Sequence, residues 1–211
     1  MIEGLKPFYE RILRPALRLF VRLGVKPNDI TVFGVFLFGL SAWYCAEGRW
    51  GVATAFLVVA AFMDGWDGLL ARETGQKTDF GAILDSTCDR ITEILLFGGL
   101  FVYYANRPAP MHAGMYVSFI AVTGSLMVSY VKARSEGQGV ACRGGILQRP
   151  ERIILLAVFL VSGPTVMLWG VGALGALAYA TMLQRIWIVR RGCRRAPGAI
   201  DQATPGVTGE E

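Results

Sequence analysis

Residues 64–89 read DGWDGLLARETGQKTDFGAILDSTCD, and four of the five aspartates within them belong to one spaced pattern. These acids are Asp64, Asp67, Asp85 and Asp89. Long apolar segments lie on both sides of them, as in a protein embedded in a membrane. Because charge inside a bilayer is costly, acids in membrane segments indicate a functional site by default. The stretch therefore predicts a membrane protein with an acidic site.

The two halves of this stretch each follow an α-helical spacing. At about 100° per residue, one helix face carries a first set of five residues: Asp64, Asp67, Gly68, Ala71 and Arg72. Steps of four residues advance by only about 40°, so the next helix carries a stripe of three: Gly81, Asp85 and Asp89. A short connection through Gly75 makes the two helices neighbours, and we expect their acidic faces to meet.

Four carboxylates that lie this close together cannot all stay ionised without cations. Two divalent cations would offset their charge, and ligation by oxygen alone favours Mg²⁺ or Mn²⁺ over zinc. Paired metals that hold a phosphate are a common solution for phosphoryl chemistry. We therefore predict a site for two Mg²⁺ or Mn²⁺ ions, with the planar guanidinium of Arg72 against a phosphate oxygen.

The rest of the chain is typical of one all-α integral membrane domain, which we expect to cover residues 1–196. Of the 211 residues, 54% are hydrophobic, more than in an ordinary soluble domain. An amphipathic interfacial helix is predicted at 1–24, six spans within 28–191, and a polar, disordered tail at 197–211. The predicted spans cover 28–47, 51–74, 79–105, 109–135, 150–169 and 171–190.

Basic residues are distributed unevenly over the connections between these spans. With the N-terminus in the cytoplasm, all but two of the 21 lysines and arginines lie on the cytoplasmic side, the exceptions being Arg49 and Arg107. This bias is the pattern of positive-inside topology, and it explains the net charge of +5 without a nucleic-acid partner. We therefore expect a multi-pass protein of the cell (inner) membrane with both termini and the acidic site facing the cytoplasm.

The pattern of aspartates and glycines resembles the signature of the CDP-alcohol phosphotransferase family, and all eight of its positions are filled. The resemblance implies that a CDP-linked lipid such as CDP-diacylglycerol donates a phosphatidyl-type group to an acceptor hydroxyl, and that CMP leaves. It implies that the four aspartates bind two metals and that Asp89 is also the base for the hydroxyl. It implies a membrane-lipid environment, a homodimer, and a CDP-lipid site formed by Asn28, Thr31, Gly68, Ala71, Arg72 and Gly81.

A second group of basic residues surrounds the connection between the fourth and fifth predicted spans. It consists of Lys132, Arg134, Arg149 and Arg152, and Arg185 in the sixth span is a candidate fifth member. Such cations can form an anion site, or they can serve positive-inside topology alone. The stretch resembles the corresponding region of phosphatidylinositol phosphate synthases, in which such residues hold the phosphate of inositol phosphate. The resemblance therefore implies an inositol phosphate acceptor.

Three other functions stay open at this point. The same chemistry could use glycerol 3-phosphate, since charge alone does not distinguish two phosphorylated acceptors, or it could use a non-phosphorylated alcohol. A cation transporter is a remote alternative. Transporters of this kind contain inverted repeats or acids near the bilayer midplane. No repeat is found in this sequence, and its acids cluster towards one end of the spans.

Two further residues carry structural predictions. Glu93 extends the stripe of Asp85 and Asp89, and its spacing suggests an ion pair with Arg90. Pro164 is expected to bend the fifth span.

Overall fold

The computed structural model describes residues 20–108, 112–142, 144–146 and 148–195. Between Pro27 and Arg195 these residues form six helices. They are α1 (Pro27–Ala46), α2 (Trp50–Glu73), α3 (Asp79–Ala105), α4 (Ala113–Glu136), α5 (Arg149–Val161) and α6 (Pro164–Arg195). The predicted interfacial helix lies outside the described residues except for 20–24, and the predicted tail at 197–211 lies entirely outside them. The all-α prediction is confirmed.

Local sequence signals explain where the helices near the acidic stretch begin. Pro27 occupies the first turn of α1, where its missing N–H is not needed, and the Asp29 carboxylate accepts a hydrogen bond from the Lys26 backbone at 3.0 Å. The connection from α2 to α3 turns at Gly75, whose φ of +67° favours glycine. Thr78 then caps α3 by accepting a hydrogen bond from the Gly81 N–H at 2.9 Å. These signals set the register of both halves of the acidic motif.

The helices pack in a closed circuit in which α1 lies against α2 and α3, α3 against α4, α4 against α6, α6 against α5, and α5 against α2. Their shared core contains large buried side chains such as Phe38, Leu57, Leu100 and Met167. Among the described residues, α2 and α3 are not a closely packed pair. The two helices that carry the acids both pack against α1. Their acids face each other across the space between α2 and α3.

Four of the helices are long and apolar enough to cross a membrane: Pro27–Ala46, Trp50–Glu73, Ala113–Glu136 and Pro164–Cys193. The helix α3 carries its acids within its own length, which lowers its mean hydropathy. With 13 residues, α5 is about 20 Å long at 1.5 Å per residue, shorter than the hydrocarbon core of a bilayer. The chain is therefore a membrane protein, and the count of six complete spans stays a prediction.

The prediction that Pro164 bends the fifth span is wrong, and so is the predicted boundary between the last two spans. The helix α5 ends at Val161, Gly163 adopts a φ of +90°, and Pro164 begins α6. A glycine in the left-handed region stops a helix, and a proline without an N–H suits the first turn of the next one. Apolar segments on both sides of residues 162–165 concealed this break from a reading based on hydropathy.

Candidate active site

Three of the four predicted metal ligands converge between α2 and α3. Asp64, Asp85 and Asp89 each offer a carboxylate oxygen, and the three oxygens lie within 4.8 Å of one another. The helical stripe of α3 places Asp85 and Asp89 one turn apart on the same face, opposite Asp64 on α2. The prediction that the two acidic faces meet is therefore confirmed.

The fourth predicted ligand, Asp67, lies outside this group of three. It is buried, and its Oδ2 accepts a hydrogen bond from the Thr31 hydroxyl of α1 at 2.6 Å. Its Oδ1 accepts from the backbone N–H of Gly68. Asp67 lines the same cleft as Asp85, so it borders the group. Its contact with Thr31 ties α2 to the start of α1.

A cation from a distant part of the chain already bridges two of the converging carboxylates. Nη1 of Arg149, in the first turn of α5, lies 2.7 Å from Asp64 Oδ2 and 2.9 Å from Asp89 Oδ1. Nη2 of the same side chain donates to the Thr92 hydroxyl at 3.0 Å. The carboxylates thus sit where positive charge is stabilised, and their oxygens are the ligands that hard divalent cations prefer. The residues fit a Mg²⁺ or Mn²⁺ site.

A cleft of about 380 Å³ opens beside the carboxylates, between the start of α1, the end of α2 and the start of α3. All six residues predicted for the CDP-lipid site line it: Asn28, Thr31, Gly68, Ala71, Arg72 and Gly81. Gly81 keeps it open, because a Cβ there would lie 3.3 Å from Asn28 Oδ1 and 3.0 Å from Thr78 Oγ1. This volume suits a small ligand.

The cleft also contains residues that the sequence analysis did not assign to the site. Gln76, Lys77 and Thr78 line it from the connection between α2 and α3. Their position between the two halves of the motif is a signal that could have found them. Lys77 adds a second cation to the side of the cleft that carries Arg72.

The five cations predicted to hold the acceptor phosphate separate into two groups. Arg149, Arg152 and Arg185 form what we call the arginine cluster, in which Arg149 contacts Asp64 and Asp89. Arg152 and Arg185 are buried, and Arg152 interacts electrostatically with the other two. Lys132 and Arg134 are exposed near the end of α4, where the Lys132 ammonium lies 3.9 Å from Glu136 Oε1. The roles of all five stay a prediction.

Each buried arginine is held by a different neighbour. Arg185 donates from Nε to the Gly144 carbonyl at 3.2 Å and from Nη1 to the Val128 carbonyl at 2.8 Å. Nη2 of Arg152 lies 3.0 Å from Glu93 Oε1. The predicted pair between Glu93 and Arg90 is wrong, because the side chain of Glu93 points into the bundle towards α5. Arg90 instead donates to the Ser86 carbonyl of its own helix.

Comparison with known proteins identifies this arrangement. The sequence profile described as CDP-alcohol phosphatidyltransferase matches residues 25–187. The phosphatidylinositol phosphate synthase of Corynebacterium glutamicum is 36% identical over 196 residues, which cover 88% of this chain and 86% of that protein.

Solved structures agree with that match. The crystal structure of Mycobacterium tuberculosis phosphatidylinositol phosphate synthase with CDP-DAG bound aligns with a TM-score of 0.81 at 32% identity, covering 90% of this chain and 98% of that one. The same enzyme in complex with manganese and citrate aligns with a TM-score of 0.80 at 30% identity, covering 93% and 95%. The eight-position motif, the helical fold and these alignments lead to one conclusion: the chain belongs to the CDP-alcohol phosphatidyltransferase family.

Proposed function

We propose that this enzyme transfers the phosphatidyl group of CDP-diacylglycerol to a hydroxyl of inositol phosphate and releases CMP. The observation that carries the choice of acceptor is the arginine cluster, in which Arg149 contacts two of the carboxylates and Arg152 and Arg185 are buried. Arg185 is buried and donates to two backbone carbonyls, so it keeps a net charge that a phosphate on the acceptor would offset. The names of the aligned relatives favour inositol phosphate over glycerol 3-phosphate and over a non-phosphorylated alcohol.

The donor nucleotide is proposed to occupy the cleft between α1, α2 and α3. Arg72 and Lys77 line this cleft and carry the charge that a pyrophosphate requires. Asn28 and Thr31 offer an amide and a hydroxyl for hydrogen bonds to the nucleotide. The absence of side chains at Gly68 and Gly81 lets the ligand approach the backbone of both helices closely. The lipid chains would then extend from the cleft into the membrane.

The proposed chemistry is a displacement at the phosphorus on the lipid side of the pyrophosphate. The acceptor hydroxyl forms the new P–O bond, the bond to the bridging oxygen breaks, and CMP leaves with the electron pair. Asp89 accepts the hydroxyl proton, as a positioned carboxylate can. Asp64, Asp67, Asp85 and Asp89 would hold the divalent cations, which when bound supply positive charge for the phosphate oxygens. Arg149 contacts both Asp64 and Asp89, so it links the acceptor side to the acids.

The orientation in the membrane is also a proposal. The positive-inside bias supports cytoplasmic termini and a cytoplasmic active site. With that placement, a water-soluble acceptor would enter the site from the cytoplasm and the lipid donor would enter it from the membrane. The homodimer and the domain limits at 1–196 stay predictions, and cross-linking of purified protein in detergent tests the first of them.

The experiment that tests the function is an assay of CMP release by purified protein. CDP-diacylglycerol is offered with inositol phosphate, glycerol 3-phosphate, inositol or serine, in the presence of Mg²⁺. We expect turnover with inositol phosphate and little with the other three. Turnover with glycerol 3-phosphate alone would contradict the proposed acceptor but keep the chemistry. A lack of CMP release with every acceptor would contradict the proposed function as a whole.

A further inference from the structure

Glu93 continues the acidic stripe of α3 but has no part in the proposed chemistry. It follows Asp89 by four residues and therefore lies one turn further along the same face. Its exposed fraction is only 3%. A carboxylate at such a position is costly unless it is paired and hydrogen-bonded. Its partners therefore indicate what it is for.

The partners of Glu93 come from two other helices. Its Oε1 lies 3.0 Å from Nη2 of Arg152 on α5, and its Oε2 accepts a hydrogen bond from the Ser125 hydroxyl of α4 at 2.8 Å. Nη1 of Arg152 in turn donates to the Ser125 hydroxyl and, at 3.3 Å, to the Ser125 carbonyl. The three side chains thus form a buried network that joins α3, α4 and α5, in which Glu93 Oε1 pairs with Arg152 by charge and accepts no hydrogen bond.

This network runs parallel to the contact between Asp89 and Arg149. Asp89 and Glu93 are one turn apart on α3, and Arg149 and Arg152 are about one turn apart on α5. Two acid–arginine pairs therefore connect the same two helices. The first pair belongs to the catalytic carboxylates, and the second lies deeper in the bundle.

Each of the two arginines keeps one buried donor without a partner. The Nε atoms of Arg149 and Arg152 are both buried and make no hydrogen bond within the described chain. Buried polar groups are normally satisfied, so an unpaired donor calls for an acceptor. Two such donors, in arginines about one turn apart on α5, suit the oxygens of an anion. The direction in which these donors point depends on what holds the guanidinium groups.

We propose that Glu93 is a positioning residue that sets acceptor affinity by holding Arg152, and with it the first turn of α5, through the network with Ser125. Arg152 repels its like-charged neighbours Arg149 and Arg185, and the carboxylate of Glu93 offsets that repulsion. The inference rests on the proposed function, because the anion that Arg152 serves is the phosphate of the acceptor. Glu93 itself contacts no substrate.

The test compares Glu93→Gln, which removes the charge at nearly constant shape, with Glu93→Asp, which keeps the charge. Michaelis constants for inositol phosphate and for CDP-diacylglycerol are measured together with thermal unfolding in detergent. For Glu93→Gln we expect the constant for inositol phosphate to rise about tenfold and that for CDP-diacylglycerol to stay within about twofold. Glu93→Asp should restore part of the loss. Glu47→Gln, the same change at the exposed end of α1, is the matched control.

Ser125→Ala keeps all charges and removes the hydroxyl link, so it decides the matter if Glu93→Gln does not fold. Ser125→Ala should raise the Michaelis constant for inositol phosphate and leave that for CDP-diacylglycerol unchanged. Ser41→Ala provides a control for loss of a buried serine hydroxyl. Equal changes in both constants, or a lower unfolding temperature alone, would show a merely structural role and overturn the inference. If the wild-type protein does not use inositol phosphate, the proposed function fails, and the role of Glu93 fails with it. If the wild type uses it and the variants do not differ, only the inference fails.

Discussion

The cleft between α1, α2 and α3 contains Asp67 and Asp85, and the arginine cluster reaches Asp64 and Asp89 through Arg149, but the two regions are built in different ways. The cleft is lined by side chains from one continuous part of the chain, residues 27–85, and several of them are exposed. The arginine cluster is assembled from α5 and α6, is mostly buried, and depends on partners from α3 and α4. An open surface is directly accessible to a substrate, whereas a buried cation must be held by the protein before a substrate arrives.

This difference predicts that the two regions bind different substrates, which mutations can test. Changes in the cleft should affect the donor, and changes in the arginine cluster should affect the acceptor. Changes in the carboxylates should affect both, because the two regions meet there.

Removal of divalent cations has the largest expected effect, because it acts where the two regions meet. In EDTA the purified protein should lose CMP release with any acceptor, since the clustered carboxylates then lack the charge that offsets them. Added Mg²⁺ or Mn²⁺ should restore it. EDTA already saturated with Mg²⁺ provides the control, and full activity in metal-free buffer would contradict the metal assignment.

Asp89→Asn is expected to have the next largest effect. Loss of a positioned base costs about 10²–10⁴-fold in rate, so turnover should fall to the limit of detection. Binding of CDP-diacylglycerol should suffer less than in Asp64→Asn, and titration of the lipid nucleotide measures this difference. Wild-type turnover in Asp89→Asn would refute its role as the base.

Arg185→Gln and Arg72→Gln test the division directly. A charge-assisted contact contributes about 1.5–3 kcal/mol, and about 1.4 kcal/mol corresponds to a tenfold change. Arg185→Gln should therefore raise the Michaelis constant for inositol phosphate about tenfold or more, because this arginine donates to backbone carbonyls and keeps its net charge for an anion. Arg72→Gln should raise the constant for CDP-diacylglycerol instead. Arg190 is exposed on the same helix as Arg185, and Arg190→Gln should change neither Michaelis constant. Equal changes in both Michaelis constants for Arg185→Gln would contradict the separation between the two regions.

Arg134→Gln is expected to have the smallest effect. Its side chain is exposed at the end of α4, where solvent screens its charge. An exposed ion pair contributes about 0–1 kcal/mol, so the constant for inositol phosphate should change by less than about fivefold. A larger change would show that the exposed cations join the arginine cluster when the acceptor binds.

The lining of the cleft could be predicted from the sequence because its residues lie close together in the chain. Helical periodicity placed Asp64, Gly68 and Arg72 on one face, and Asp85 and Asp89 of the next helix face Asp64. Residues such as Gln76 and Lys77 were missed because turn residues carry no periodic signal. The basic residues were predicted only as a set of charges, and the structure separates the buried Arg152 and Arg185 from the exposed Lys132 and Arg134.

The amino-acid sequence alone determined the membrane class, the helical spacing of the acids and the start of each helix near them, because these depend on residues within a few turns of one another. Only the tertiary structure decided which charges meet. Arg149 contacts Asp64, which lies 85 residues away in the chain, and Glu93 pairs with Arg152 and not with its sequence neighbour Arg90. The break at Gly163 is different, because its causes, Gly163 and Pro164, are local residues that a hydropathy pattern does not weigh. The partner of a buried charge is set by which helices pack together, and that packing is a property of the whole bundle.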